Sequence, residues 1–523
     1  WLEEYTGIDY PFSKLDFVLV PSFQFGGMEH PGAILYRASS LLLGPSPTQS
    51  QMLARASVIA HETAHMWFGN LVTMKWFDDV WTKEVFANFM AAKIVNPSFP
   101  KINHELRFLL SHYPSAYAVD RTEGTHPIRQ ELENMGEAAQ LYGAIIYQKA
   151  PIVMRQLETL IGADTFREGI RQYLNRFQFS NSTWSQLIDI LDQLSTKDLK
   201  TWSKTWVEKA GRPRVVPQIS RRPDGTVHSI SVSQSDQTGV KKNWPQQMES
   251  LLVGESGQQS IPLHLSSLSS ELLVPDTLGQ LQCVLLNGSG TGYGLFELDN
   301  LSREFLLSNL PEIGNQIARA VAWVTLWDEM LEGRVAPDDM LKLAQNSLAT
   351  ERNELIAQHI LENLQTIFWQ FLSDRDRQSI SQDIEHLLWR GVRQSLSKSL
   401  RSAYFRAYRS MALTPEGITL LKSVWDKKTT IPGITFEEVD FIAMAYEIAV
   451  RDFPDSWQVL ETQLGRIQNL ERKAQFEFVL PALSSQVEKR DNFFRSLAQP
   501  ENRRREQWVL RALNYLHHPL RAG

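Results

Sequence analysis

His61 and His65 bracket Glu62 in the stretch HETAHMWFGN. On a helix, residues four apart lie one turn apart on the same face. The two imidazoles can therefore face one metal ion, while Glu62 reaches a water beside it without ligating. A catalytic zinc needs a third protein ligand and an open position. Glu84 lies 19 positions after His65, and the 18 residues between suffice for the end of one helix, a turn and a return. Its neighbours Trp81, Val85 and Phe86 are apolar, which points to a buried carboxylate, and a buried carboxylate needs a partner. Taken one at a time, the residues leave open a helix with two incidental histidines and a solvent-facing glutamate.

The elements that must position these groups follow from pattern. Residues 15–25, LDFVLVPSFQF, read as a buried strand ended by Pro21, and the glycines of the following FGGMEHPG allow close backbone approach. Residues 50–74 read as a helix with Met52, Ala56, Ile59, Ala60 and Thr63 on one stripe. A second helix runs from about Asp79 to Val95, where Asn96-Pro97 stops it. Further helices are expected over about 138–161, 163–177, 183–194 and 197–209. The stretch GRPRVVPQISRRPDG (211–225) marks a boundary. Beyond it, alternation around Ile230 and Val232, a hairpin over 251–265 and a strand over 281–287 predict a small β domain at 212–292. From about Leu301 the pattern is helical to the end, with Ile317, Val321, Val324 and Leu331 on one stripe and Pro337-Asp338 opening the next helix. No strict period names a repeat, but the succession suggests an α-solenoid or bowl.

Bulk properties narrow the classes. A chain of 523 residues exceeds one core, so two to four domains are expected. The composition is 43% hydrophobic and 21% charged, with net charge −6, which disfavours nucleic acid as a partner. Arg503, Arg504 and Arg505 are bracketed by Glu501 and Glu506 and read as a solvated helix face. Cys283 is the single cysteine, so a metal must be held by histidines and carboxylates. No apolar run is long enough to span a membrane. The chain opens WLEEYTGIDYPFSKLDFVLV, like the middle of a domain, so residues upstream are expected and the compartment, cytoplasmic or periplasmic, stays open. Adjacent His517 and His518 would point apart on a helix, which argues against a second metal site.

FGGMEHPG, HETAHMWFGNLVT, Glu84 and IIYQKAPIV, in this order and spacing, resemble the M1 family of zinc aminopeptidases, a gluzincin family with GxMEN, HExxH-x18-E and YxKG motifs. The resemblance covers about 1–210 and extends more loosely beyond. It implies an α+β multidomain protein: a thermolysin-like, mostly helical catalytic domain at 1–211, a small β-sandwich domain at 212–292, and a C-terminal α-helical HEAT/ARM-like solenoid or bowl domain at 293–523. It implies one zinc ion on His61, His65 and Glu84. Glu62 would be the general base and Tyr147 the oxyanion stabiliser. Glu29 would anchor the free α-amine of a peptide, and Gly26, Gly27, Met28 and His30 would complete the substrate-binding stretch. The helical domain would roof the cleft and limit peptide length.

The sequence departs from the family pattern at several points. His30 stands where the family has Asn, and as an imidazolium it would weaken amine binding at low pH. Thr82-Lys83-Glu84-Val85 replaces Leu-Asn-Glu-Gly, and Ala150 replaces the Gly of YxKG. The family's N-terminal β domain, which closes one side of the cleft, is expected upstream. A related epoxide hydrolase using the same zinc, or a non-catalytic M1-like scaffold, remains as an alternative. Preferred first residue and oligomeric state are not legible.

Overall fold

The computed structural model describes residues 1–21, 23–224 and 226–521, apart from the side chains of residues 139 and 140. Ser22 in the first strand stretch, Gly225 at the end of the boundary stretch, and Ala522 and Gly523 lie outside the described residues. The fold is mixed α+β with a large helical C-terminal region. By contact it divides into two units, residues 1–41 with 53–356, and residues 42–52 with 357–523.

The first unit opens with a three-stranded sheet: β1 (Asp16–Val20), β2 (Gly27–Met28) and β3 (Ala33–Arg37), in the order β1-β3-β2. β1 runs parallel to β3, and β2 runs antiparallel to it with Gly27 opposite Tyr36. This corrects the expectation of a buried first strand. β1 is an edge strand, and Phe17, Val18 and Leu19 are 46%, 43% and 41% exposed. An apolar run records the tendency to be covered, but neighbours decide whether it is. The buried strand is the central β3, where Ile34 and Tyr36 are fully enclosed.

Helix α1 (Gln49–Ala64) begins at a reciprocal cap: the Gln51 N–H donates to Thr48 Oγ1 at 3.2 Å, and the Thr48 N–H donates to Gln51 Oε1 at 2.8 Å. It ends ten residues earlier than the expected 74. Tight turns follow, in which the Met66 N–H reaches Thr63 O and the Trp67 N–H reaches Ala64 O. Gly69 then takes φ +127°, a region open to glycine. Residues 72–74 instead form β4 (Val72–Met74), paired in parallel with β5 (Ser180–Ser182).

Helix α2 (Val80–Ser98) is buried nearly all round, by Trp81, Val85, Phe86, Phe89, Met90 and Val95 among others. Each large apolar side chain buried contributes ~1.5–3 kcal/mol, so the rotation of this helix is fixed on every side. Asp79 precedes it, buried, with its carboxylate taking Arg129 Nε at 2.8 Å and the Trp184 N–H at 3.2 Å. The helix runs through Pro97 to Ser98, past the expected stop. Proline there gives up one backbone hydrogen bond, and the helix continues only one residue beyond it. Helix α3 (His104–Asp120) follows, capped by Asn103.

The expected helix over 138–161 is three segments: a 3-10 stretch (Met135–Leu141), a π-helical turn (Ile145–Lys149) and α4 (Ala150–Ile161). Helices α5 (Ala163–Phe177), α6 (Trp184–Leu194) and α7 (Leu199–Trp206) lie close to the expected bounds. Two further sheets follow. Strands β6 (Arg214–Arg221), β7 (Val227–Ser235), β10 (Ser269–Leu272) and β12 (Leu295–Phe296) form one, in the order β10-β7-β6-β12; β8 (Gln246–Gly254), β9 (Gly257–Leu265) and β11 (Leu281–Leu285) form the other, in the order β11-β8-β9. Ile230 and Val232 of the first sheet and Leu252 and Leu263 of the second share one buried cluster. Helices Asn300–Asn309, Gln316–Leu331 and Pro337–Thr350 complete most of the unit, with Pro337 in the first turn of the last.

The second unit is helical from Asp374–Gln394 to Glu506–Leu516. His517 and His518 follow the last helix. His518 lies edge-on to Trp369, with ring centroids 4.5 Å apart. No helix among the described residues is long and apolar enough to cross a membrane.

Candidate metal centre and cleft

His61 sits in the last turn of α1, His65 is the first residue past its end, and Glu84 sits in the first turns of α2. His61 Nε2 and His65 Nε2 are 3.1 Å apart, and Glu84 Oε2 lies 3.5 Å from the first and 3.7 Å from the second. Three donors around one tetrahedral zinc, with bonds of about 2.1 Å, are spaced by about 3.4 Å. The observed triangle has that size.

The far sides of both rings fix what the near sides can do. His65 Nδ1 is 3.0 Å from the Phe68 carbonyl oxygen, so it donates there and leaves a lone pair on Nε2. His61 Nδ1 is 3.1 Å from Asn88 Oδ1. Asn88 Nδ2 donates to the Tyr147 carbonyl at 3.3 Å, which turns its oxygen toward His61. His61 Nε2 therefore also presents a lone pair. Two lone pairs and a carboxylate oxygen converge on one point, an arrangement that a cation satisfies. The donor set thus fits a divalent metal. Burial alone would raise the Glu84 carboxyl, but the two imidazoles and the Lys83 ammonium around it hold it well below the usual carboxylate range.

Glu62 is 4% exposed. Burial pushes its carboxyl up to about 7, His61 opposes the rise, and Glu29 and Glu84 add to it. A group poised there is suited to proton transfer near neutrality. Gly27 makes its position possible: a Cβ on Gly27 would stand 2.3 Å from Glu62 Oε1. Glu29, Glu62 and His65 each place a donor atom within 4.8 Å of the others, so both glutamates face the same point.

Tyr147 lies in the π-helical turn. Burial first, and the Glu84 carboxylate next, hold its phenol far above the ordinary range. The rings of Tyr142 and Tyr147 stack, with centroids 6.3 Å apart. These groups line a cavity of about 1140 Å³, whose wall includes Gly26, Gly27, Met28 and Glu29. The structure thus brings together nine of the ten residues singled out in the sequence: Gly26, Gly27, Met28, Glu29, His61, Glu62, His65, Glu84 and Tyr147. It does not bring in His30, whose side chain is exposed and off the cavity wall. The cation beside Glu29 is Lys83, with Nζ 2.5 Å from Glu29 Oε1.

Three further residues were missed in the sequence. Asn88 orients His61, and a signal existed: it falls four after Glu84, on the same helix face. Asn70 donates to the Glu29 carbonyl at 2.7 Å. Lys83 stood out only as a departure from a motif, since its partner lies 54 positions away.

Residues 1–206 match the model of the Peptidase family M1 domain. The chain is 27% identical to "Aminopeptidase N" of Streptomyces lividans over 468 residues, covering 84% of this chain and 53% of the relative. It is 34% identical to the "Puromycin-sensitive aminopeptidase" of Caenorhabditis elegans over 322 residues, covering 60% and 33%. It is 29% identical to "Probable aminopeptidase 1" of Sulfurisphaera tokodaii over 462 residues, covering 87% and 55%. The matched stretches thus span from a third to about half of these relatives' length.

Proposed function

This chain belongs to peptidase family M1 through residues 1–206, and on that premise we propose that it is a zinc aminopeptidase, hydrolysing the first bond of peptides with a free N-terminus. The observation that carries the reading is the convergence of His61 Nε2, His65 Nε2 and Glu84 Oε2 at 3.1–3.7 Å, with both imidazoles turned by partners on Nδ1. These three residues would hold one zinc ion. A zinc ion bound there supplies Lewis acidity, which polarises a carbonyl and acidifies a water.

The chain's own groups do the rest. Glu62 takes a proton from the attacking water and returns it to the leaving amine. The Tyr147 hydroxyl donates to the oxygen on which negative charge develops. β2 lies at the sheet edge; the Gly26 carbonyl before it takes the Arg37 N–H, and the backbone at Gly27 offers the free edge to a substrate running as an added strand. Glu29 faces the start of that strand and anchors the α-amine, so that only the first peptide bond reaches the metal.

The proposed architecture is a thermolysin-like domain at 1–211, a β-sandwich at 212–292 and a HEAT/ARM-like helical domain at 293–523. The buried cluster shared by the two sheets supports the sandwich.

The test is metal content with activity. About one zinc per chain, with aminoacyl-anilide cleavage lost on chelation and in Glu62→Ala, is the expected result. A chain that binds zinc but cleaves no anilide, and does cleave an epoxide, would instead favour the related hydrolase. A chain that does neither is a scaffold.

A further inference from the structure

Lys83 stands between two carboxylates of the cleft. Its Nζ is 2.5 Å from Glu29 Oε1 and 3.3 Å from Glu84 Oε1. Glu84 turns its other oxygen, Oε2, toward the two imidazoles, so the lysine takes the oxygen left over. The side chain is only 17% exposed. Its stem is also held: a Cβ on Gly69 would lie 3.2 Å from Lys83 Cβ, and Gly69 has φ +127°. This is a built ion pair and not a surface lysine that happens to pass by.

The consequence concerns what Glu29 can select. A carboxylate that anchors an ammonium is worth most when its charge is unspent. Here one oxygen already holds an ammonium from the chain itself. A substrate ammonium at the other oxygen would lie roughly 5 Å from Lys83 Nζ, given ordinary hydrogen-bond lengths on either side of a carboxylate. Two like charges at that separation in a cleft of reduced dielectric repel. Lys83 therefore competes with the group that Glu29 would bind.

We infer that Lys83 is a specificity-determining residue that offsets part of the Glu29 charge, so that the cleft discriminates less sharply between first residues with a free ammonium and those whose amino group is absent. This inference rests on the aminopeptidase reading, and the experiment separates the two.

The probes are alanine 4-nitroanilide and propionic acid 4-nitroanilide, which share the acyl chain and differ in the amino group. Their kcat/KM ratio is measured for the parent chain and for Lys83→Met and Lys83→Gln, with zinc content and thermal melting as checks. The ratio is expected to rise at least about tenfold in either variant, through a lower KM for the alanine substrate, as removal of a like charge from a binding site predicts. A lysine with a merely structural role would alter both substrates alike and leave the ratio unmoved. An unchanged or lower ratio in a folded, zinc-loaded variant overturns the inference and leaves the aminopeptidase reading standing. Should Lys83→Met fail to fold, Lys83→Gln carries the same test, and the inhibition constant of alaninamide, expected to fall by the same factor, reads binding without turnover. A parent chain that binds no zinc and cleaves neither anilide overturns the underlying reading and this inference with it.

Discussion

Asn88 Oδ1 stands 3.1 Å from His61 Nδ1 and ties α2 to α1 at a second point, one turn beyond Glu84. The residue that aims the imidazole thus shares a helix face with the carboxylate that completes the triangle. Asn88→Ala should weaken zinc binding by about 10- to 100-fold, the usual cost of removing a partner behind a ligating histidine. Competition with a chromogenic chelator reads this directly, and an affinity equal to the parent's would show that the contact does not orient His61.

In the proposed reaction the Tyr147 hydroxyl shares the developing negative charge. Tyr147→Phe keeps the ring and the stack on Tyr142 and removes only the donor. Turnover of an aminoacyl anilide should fall by about 10²–10³, with KM and zinc content little changed. A fall confined to KM would instead make the tyrosine a binding residue.

Gly27 has no room for a side chain, because its Cβ would stand 2.3 Å from Glu62 Oε1. Gly27→Ala must displace the glutamate or the strand. A stability loss of ~1–3 kcal/mol is expected from overpacking, together with loss of turnover. A variant as stable and as active as the parent would mean that β2 shifts freely.

Lys149 belongs to the IIYQKAPIV stretch, but its role is structural. It is fully buried, with Nζ 2.8 Å from Asp120 Oδ2 and 2.7 Å from the Gly211 carbonyl. Lys149→Met leaves an uncompensated buried carboxylate and should destabilise by ~3–5 kcal/mol. Adding Asp120→Asn should recover part of that. Additive losses in the double variant, measured by urea denaturation, would contradict coupling between the two.

Burial alone pushes the His359 imidazole from an ordinary 6.5 down to about 4. Between those values the unfolded chain binds a proton that the folded chain refuses, so stability falls as pH drops through the window. The loss accrues at ~1.4 kcal/mol per pH unit and stops near 4. His112, likewise held down to about 4 by burial, adds a loss of the same sign in the other unit. His359→Gln cannot titrate and should flatten the acid limb by that slope. Parallel limbs in parent and variant would show that the ring is already charged in the fold.

Residue order was enough for the features that local geometry sets. Two histidines four apart on a helix must share a face, so His61 and His65 were legible as a pair, and the 18-residue gap to Glu84 allowed one return of the chain. The ends of α5 and α6 and the alternation of β7 were legible for the same reason, since periodicity acts within a few residues. Asn88 was equally local to Glu84, but an uncharged amide gave no chemical reason to single it out. Tertiary structure alone decided what depends on distant partners. α1 stops at Ala64 because residues 72–74 pair with a strand more than a hundred positions on. Among the described residues β1 pairs only with β3, and an apolar run cannot record which neighbours cover it. Lys83 meets Glu29 across 54 positions, and whether a lysine in a helix faces water or a carboxylate is settled by the packing that rotates the helix, not by the helix itself.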